Sequence, residues 1–389
     1  MIRILHVVGG LNCGGAETWL VQVYRAMDRS HYRFDFLVHS DGPFHYEQEL
    51  QSLGAKVIRC DGLGNPPQYA VNLSRILRKH GPYDCVHSHV HLFSGYVAAI
   101  AAANRVPLCL VQSHLDSTSA EQKYNFVRRS YARMMRRLIF LAANSRMAVS
   151  RAAGDSLFGN AAASARTWSY LPLGIDLEPY RKPVSRSAIR AELGLVDDSV
   201  AIFHVGRFDE QKNHKFLVEI AASLCAIEPH VRFFFVGDGP LRPKIQDQVR
   251  SYNLDGRVQF LGVRKDVPRI LRGAADLFLF PSLYEGLGLA HMEAQLAGLL
   301  SIVSDVVPTE ADVLPTQVIR LPLAKPAAAW AQDIAAIIRS GLKRWTTDLS
   351  TLEATVSIEA SAKHLSNLYS GALARVSASK SLIPKTASA

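Results

Sequence analysis

Residues 200–226 read VAIFHVGRFDEQKNHKFLVEIAASLCA. Val200–Val205 is a continuous apolar run of strand length, and Gly206 ends it. From Lys215 to Ala226 the apolar residues return every three or four positions, which is the period of a half-buried helix. A strand, a loop opened by glycine and a helix make the first half of a βαβ unit. The same order appears at the beginning of the chain. There Ile2–Val8 leads through Gly9–Gly15 (GGLNCGG) into an amphipathic run, Ala16–Met27. Two such starts in 389 residues suit two domains, because one core stops growing at roughly 250–300 residues.

Outward from these starts the alternation continues. After the first, Phe34–Val38, Val57–Arg59, Cys85–His87, Leu108–Gln112 and Leu138–Ala142 read as strands, and Tyr69–Lys79, Ser94–Ala103 and Gln122–Arg137 as helices. After the second, Val231–Val236, Val258–Leu261, Leu277–Phe280, Leu300–Val303 and Val318–Leu321 read as strands. Leu241–Tyr252, Ala290–Ala297 and Ala327–Ser340 read as helices. Such alternation predicts parallel sheets covered by helices. The fold class is α/β, with two Rossmann-like doubly wound domains facing across a cleft. Pro172, Gly174, Pro179 and Pro183 punctuate the join. The expected domains are 1–174 with about 355–389, and 175–354.

Composition is globular, with 48% hydrophobic and 20% charged residues. Only the Ser-, Lys- and Ala-rich tail from Ser377 reads as disordered. Five widely spaced cysteines without a CxxC fit a reducing compartment better than a disulfide framework. Met1–Val8 is too short for a signal sequence. The longest run free of charged residues, Cys85–Asn104, carries three histidines and makes a poor membrane span. The expectation is a cytoplasmic protein. Its net charge of +10 is uneven: residues 121–151 hold Lys123, Arg128, Arg129, Arg133, Arg136, Arg137, Arg146 and Arg151 against Glu121 alone. Such a stretch can attract the anionic inner face of the cytoplasmic membrane, or it can be a solvated helix face. No nucleic-acid module accompanies it.

Five groups can carry chemistry. The Gly9–Gly15 loop lets backbone approach a ligand at a helix start, or it is a plain tight turn. Arg207 and Lys212 follow a strand end and suit a diphosphate, or they are two surface cations. Gly237-Asp238-Gly239-Pro240 is a second glycine turn at a strand end. Glu285 and Glu293 lie eight positions apart; a fully helical spacing would separate them by about 12 Å. That exceeds the roughly 5–9.5 Å of a glycosidase pair, so gripping two parts of a long ligand suits them better. Finally, His87, His89 and His91 alternate, with His114 after another strand; a polar lining is favoured over a metal site, since no thiol or carboxylate accompanies them.

These elements, in this order, resemble the family 4 glycosyltransferases of the GT-B fold, in the branch that builds exopolysaccharide and capsule. The resemblance spans nearly the whole chain. Its most specific part is Glu285-Gly286-Leu287-Gly288 leading to Glu293, which matches the E-x7-E motif. Gly206-Arg207-Phe208 with Lys212 matches the diphosphate signature, and Gly14-Gly15-Ala16-Glu17 the N-terminal loop. Val356–Tyr369 resembles the helix that crosses back to the first domain. The resemblance implies that Arg207 and Lys212 neutralise the donor diphosphate. It implies that Glu293 holds the ribose, that Glu285 contacts the transferred sugar and that His114 lies near it. Gly14, Gly15, Gly237, Gly239, Gly286, Leu287 and Gly288 would line the nucleotide-sugar site. It further implies retention of configuration and no metal or other cofactor; no Asp-x-Asp occurs. The donor would be a UDP- or GDP-hexose and the acceptor a glycan on polyprenyl diphosphate. Leu173-Gly174-Ile175-Asp176 stands where the family commonly has Asn-Gly-Ile-Asp, and Leu299 follows Gly298 where proline is usual. The rivals are a nucleotide-sugar epimerase or sugar phosphorylase of the same architecture, and a non-catalytic scaffold.

Overall fold

The computed structural model describes residues 1–159, 168–196 and 198–381, with side chains to residue 376. It divides into two compact units: Met1–Ile175 joined by the chain from Thr355 onward, and Asp176–Ala354. Each is a parallel sheet under helices.

The first sheet has seven strands: β1 (Ile2–Val8), β2 (Tyr32–Val38), β3 (Val57–Arg59), β4 (Cys85–Ser88), β5 (Leu108–Ser113), β6 (Ser145–Ala148) and β7 (Ser169–Tyr170). Their order is β3-β2-β1-β4-β5-β6-β7. The strand order reverses between β1 and β4, which pair with His6 opposite His87. β4 and β5 are buried along their whole length, because helices cover both faces of such a sheet. The helix Gly15–Ala26 packs against the last helix, Ile358–Ser381. Trp19 Nε1 donates to Ser361 Oγ at 3.0 Å, and the Tyr32 hydroxyl donates to the Ser366 carbonyl at 3.1 Å. That helix runs on through Ser377 to Ser381, into the tail read as disordered; residues 382–389 lie outside the described part. Gly174 is needed where the chain returns, since a Cβ there would sit 2.2 Å from the Ser357 carbonyl.

The second sheet has six strands: β8 (Val200–Val205), β9 (Val231–Val236), β10 (Val258–Gly262), β11 (Leu277–Phe280), β12 (Leu300–Ser304) and β13 (Val318–Leu321). The order β10-β9-β8-β11-β12-β13 repeats the first pattern, with the reversal between β8 and β11. Ile202, Phe233, Phe235, Leu279 and Ile302 from the sheet meet Leu217, Val218 and Trp330 from the helices His214–Ile227 and Ala327–Arg339.

One expected strand is wrong. Leu138–Ala142 is the last part of the helix Phe126–Ala142, and the strand is Ser145–Ala148. A short apolar run does not by itself distinguish strand from helix. Here Ala132, Met135 and Ile139 continue the helical stripe into the core, while Leu141 stays 75% exposed. The core side of this helix lies against Ser94–Ala103, so close that a Cβ on Gly95 would be 2.2 Å from the Met135 carbonyl.

Candidate active site

In doubly wound sheets, ligands bind beyond the carboxyl ends of the strands, where the order reverses. In the second unit that point lies between the ends of β8 and β11. Gly206-Arg207-Phe208 leaves β8, and Pro281 to Gly288 leaves β11. The two loops are tied together: Asn213 Nδ2 donates to the Pro281 carbonyl at 3.1 Å, and the Leu283 amide to the Gln211 carbonyl at 2.8 Å.

These ties bring Lys212 and Glu285 into contact. Lys212 Nζ lies 2.6 Å from Glu285 Oε1 and 4.6 Å from the centre of the Phe280 ring. Gln211 Nε2 donates to the other carboxylate oxygen at 3.0 Å. Glu285 is only 4% exposed, so its charge depends on these partners. The Arg207 guanidinium is exposed and has no partner among the described residues. One cation of the predicted pair is thus balanced by a carboxylate, and the other is free.

The glycine turn after β9 belongs to the same place. The Phe208 amide donates to the Asp238 carbonyl at 3.0 Å, and the Leu241 amide to the Phe208 carbonyl at 3.0 Å. A Cβ on Gly237 would lie 2.1 Å from the Gly206 carbonyl, and one on Gly239 would lie 2.6 Å from the Phe208 carbonyl. Glycine is required because backbone packs on backbone. Phe208 is buried and stacks on His214 at 3.9 Å between ring centres, which fixes the loop from beneath.

Glu285 is not helical. The helix begins at Leu289, and Gly288 precedes it with φ +98°, so the full-helix separation considered from sequence does not apply. Leu287 is buried, and the loop ends at the unpaired amides of a helix N-terminus. Glu293, inside that helix, is half-buried, and burial pushes its carboxyl up to about 7. The buried Tyr180 feels its charge, and the Tyr180 hydroxyl has no partner among the described residues. His291, two residues before Glu293, is a core histidine: it bonds Ser301 Oγ at 2.8 Å and Asp312 at 3.1 Å.

Gly14, Gly15 and His114 lie in the first unit. Gly14 caps the helix Gly15–Ala26 in an extended conformation, and Thr18 in its first turn bonds the Tyr46 hydroxyl at 2.9 Å. His114 follows β5. Its Nε2 lies 2.9 Å from His89 Nδ1, and His89 Nε2 lies 3.0 Å from His6 Nδ1. His91 stands outside this group. The strand β4 ends at Ser88, so the alternation of an extended chain stops before His91, which enters a tight turn with φ +50°. His87, His89 and His6 do come close enough to offer three nitrogens within 4.8 Å. Sequence reading missed His6, Gln211 and Tyr180. The first was hidden within an apolar strand, and the second was visible only as the neighbour of Lys212.

A cavity of about 620 Å³ in the second unit lies elsewhere, at the amino end of β8. Arg186 and Arg190 line it, but their guanidinium groups bind Asp276 and the carbonyls of Gly273, Ala274 and Ala275. This is a structural cap for the end of a helix.

Comparison with known proteins agrees with the two-unit plan. Residues 185–347 match the profile described as Glycosyl transferases group 1, and residues 14–174 match the Glycosyl transferase 4-like domain. EpsF of Bacillus subtilis (strain 168), a protein named as a glycosyltransferase, is 37% identical over 87% of this chain and 88% of its own. The chain belongs to the family 4 glycosyltransferases of the GT-B fold. Another glycosyltransferase of this kind is the UDP-Gal:alpha-D-GlcNAc-diphosphoundecaprenol alpha-1,3-galactosyltransferase of Escherichia coli, 27% identical over 78% of this chain and 80% of that protein. Among solved structures of the GT-B fold, HepE of Anabaena in complex with UDP and glucose superposes with a TM-score of 0.72. It covers 98% of this chain and 100% of its own at 19% identity. As a glycosyltransferase, the chain carries Lys212, Glu285 and Arg207 at the point where its second sheet reverses order.

Proposed function

We propose that the protein is a retaining, metal-independent glycosyltransferase of exopolysaccharide or capsule synthesis. It moves a hexose from a UDP- or GDP-sugar to a glycan acceptor carried on polyprenyl diphosphate. The observation that carries this reading is the cluster at the ends of β8 and β11, with Arg207 free and Lys212 held by Glu285. A donor diphosphate brings negative charge to a place that presents the free Arg207, Lys212 shared with Glu285, and a tight glycine turn. As the bond to the sugar breaks, charge grows on the leaving diphosphate, and Lys212, held in place, together with Arg207 stabilises it. Glu293 accepts from the ribose hydroxyls, Glu285 from the sugar, and the amides after Gly288 face the donor. The complex of HepE with UDP and glucose, and the name of the Escherichia coli relative, which pairs UDP-Gal with a diphosphoundecaprenol-linked sugar, support this choice of substrates.

The acceptor class calls for a membrane surface, and the helix Phe126–Ala142 suits one. Phe126, Val127, Met134 and Leu141 are exposed along it beside Arg128, Arg129, Arg133 and Arg137. Apolar side chains among cations are the pattern of a helix lying in an anionic interface. Arg136 is excluded, because it binds Glu121 at 2.6 Å and the carbonyls of Ser156 and Leu157. No helix among the described residues is long and apolar enough to cross a membrane.

The test is a melting screen with UDP-, GDP- and ADP-sugars, followed by transfer to a polyprenyl-diphosphate sugar in the presence of EDTA. A donor at a hundred times its dissociation constant stabilises the native protein by about 2.7 kcal/mol. Acceptor-dependent transfer with retained anomeric configuration supports the proposal. No response to any sugar nucleotide, or an epimerised sugar formed without acceptor, refutes it.

A further inference from the structure

Three histidines of the first unit converge where the strand order reverses. His6 on β1, His87 on β4 and His89 just beyond it each offer a ring nitrogen, and these atoms lie within 4.8 Å of one another. The sequence offered His87, His89 and His91 by their spacing; the fold sets His91 aside and brings in His6, which stands opposite His87 in the sheet. His6 and His87 are fully buried. Beside them, His87 Nε2 and both polar atoms of the Gln112 amide on β5 are buried and have no partner among the described residues. That amide lies close to the His87 ring. Unpaired polar atoms gathered in one part of a core call for a group that satisfies them.

The outer nitrogens of two rings have the partners a metal ligand needs. His87 Nδ1 lies 2.8 Å from the Tyr369 hydroxyl, and His89 Nδ1 lies 2.9 Å from His114 Nε2. With a proton on each Nδ1, His87 and His89 both present a bare Nε2. A metal-bound imidazole is commonly oriented through its other nitrogen in this way. His6 Nδ1 comes within 3.0 Å of His89 Nε2. Two nitrogens bound to one tetrahedral zinc ion at about 2.0–2.1 Å stand about 3.3–3.4 Å apart, so a small separation of this pair admits the ion. Burial also holds all three imidazoles well below the usual histidine range, which keeps them in the neutral form that binds metal.

We propose that the first unit binds a structural zinc ion through His6 Nδ1, His87 Nε2 and His89 Nε2, with water or hydroxide as the fourth ligand, held by the Gln112 amide. Three imidazoles and a water make a zinc set, and the metal lowers the pKa of that water to about 7. A bound hydroxide offsets half of the buried charge, which these ligands, bringing no carboxylate, leave uncompensated. Magnesium and calcium take oxygen ligands, whereas imidazole suits zinc. Two N–H groups then stay unpaired, on His6 Nε2 and His114 Nδ1. The first lies among the rings of Phe34 and Phe36, at 4.3 and 5.6 Å between ring centres. Their cost is well below what a structural zinc ion contributes to folding. The ion joins β1 to the end of β4, and the bonds to Tyr369 and His114 extend that tie to the last helix and to the end of β5. It takes no part in the charge chemistry of Arg207 and Lys212, which belong to the second unit.

The experiment is metal analysis of the full chain, made without a histidine tag from zinc-depleted and zinc-supplemented cultures and desalted at pH 7.5. The supplemented protein should carry about one zinc ion per chain. Zinc chloride added to the depleted protein, at a thousand times the dissociation constant, should raise the melting temperature by about 8–16 °C. X-ray absorption at the zinc edge should show nitrogen and oxygen neighbours at about 2.0–2.1 Å. None of these readings needs a variant. His87→Leu should lose both the ion and the melting response, while His230→Ala, at an exposed position of the second unit, should keep both. A chain that neither retains zinc nor melts higher with it overturns the proposal. So does a sulfur neighbour at about 2.3 Å, or a full zinc content in a folded His87→Leu. Failure to bind sugar nucleotides would sink the proposed function and leave the zinc content as it was.

Discussion

Lys212→Ala should destabilise the second unit sharply, and the size of the effect follows from burial. Glu285 and Lys212 have side chains only 5% and 15% exposed, 2.6 Å apart. Removing the lysine leaves a buried carboxylate with a single remaining hydrogen bond, from Gln211. Breaking a buried pair by deleting one partner costs about 3–5 kcal/mol, because the other charge stays uncompensated. A unit the size of Asp176–Ala354 loses roughly 2–4 °C of melting temperature per kcal/mol. The expected drop is therefore roughly 6–20 °C. The double variant Lys212→Met with Glu285→Gln should regain more than half of it, since no charge is left without a partner. The assay is calorimetric melting of the wild type, Lys212→Ala, Lys212→Met, Glu285→Gln and the double variant at pH 7.5. Lys212→Ala melting within 2 °C of wild type, or a double variant no better than the worse single one, would refute the claim that the pair is energetically coupled. Arg207→Ala is the contrast: its guanidinium is exposed and unpartnered among the described residues, so stability should change by less than about 1 kcal/mol while donor turnover is lost.

Glu293 gives the protein a pH dependence. Its carboxyl is raised in the folded state to about 7 from 4.5, so the stability it contributes is fully present below its unfolded value and is lost as pH rises through 7. Glu293→Gln should therefore match wild type near pH 4.5 and exceed it at pH 8 by on the order of 2–3 kcal/mol, read from urea melts at both values. Donor binding should strengthen from pH 6 to 8 in wild type and be flat in Glu293→Gln, read by calorimetric titration with the nucleotide. Gly239→Ala places a Cβ 2.6 Å from the Phe208 carbonyl and 2.7 Å from its amide nitrogen; the Arg207 loop must shift, and donor affinity should fall at least tenfold in a protein that still melts cooperatively. Reversing Arg128, Arg129, Arg133 and Arg137 together should release the protein from anionic vesicles, at about 1 kcal/mol per cation, in a flotation assay; retained binding would remove this helix from the membrane contact.

The second sheet and β1 to β5 of the first were legible from the strand runs, because a buried parallel strand needs a continuous apolar segment and leaves a clear trace; the short, more polar β6 and β7 left none. The last turns of Phe126–Ala142 were not legible. Leu138–Ala142 is apolar on both its buried and its exposed side, and the exposed apolar residues that blurred the period are the ones that suit an interface. The alternation of His87, His89 and His91 does not extend through the structure, because the strand it presupposes stops at Ser88. The cations of the second unit were found because a strand end, a glycine and two basic residues are neighbours in the chain.

The sequence by itself determined the two strand–loop–helix starts, the place of Arg207 and Lys212 after β8, and the glycines that let the backbone turn there. These depend on local period and local backbone freedom. Tertiary structure alone decided that Lys212 is paired and Arg207 free, across 73 positions of chain, and that His6 stands in line with His89 and His114 across 83 and 25. The physical reason is that strand order in a parallel sheet brings the ends of distant strands together, and burial there turns a nearby charge or ring nitrogen into an obligatory partner.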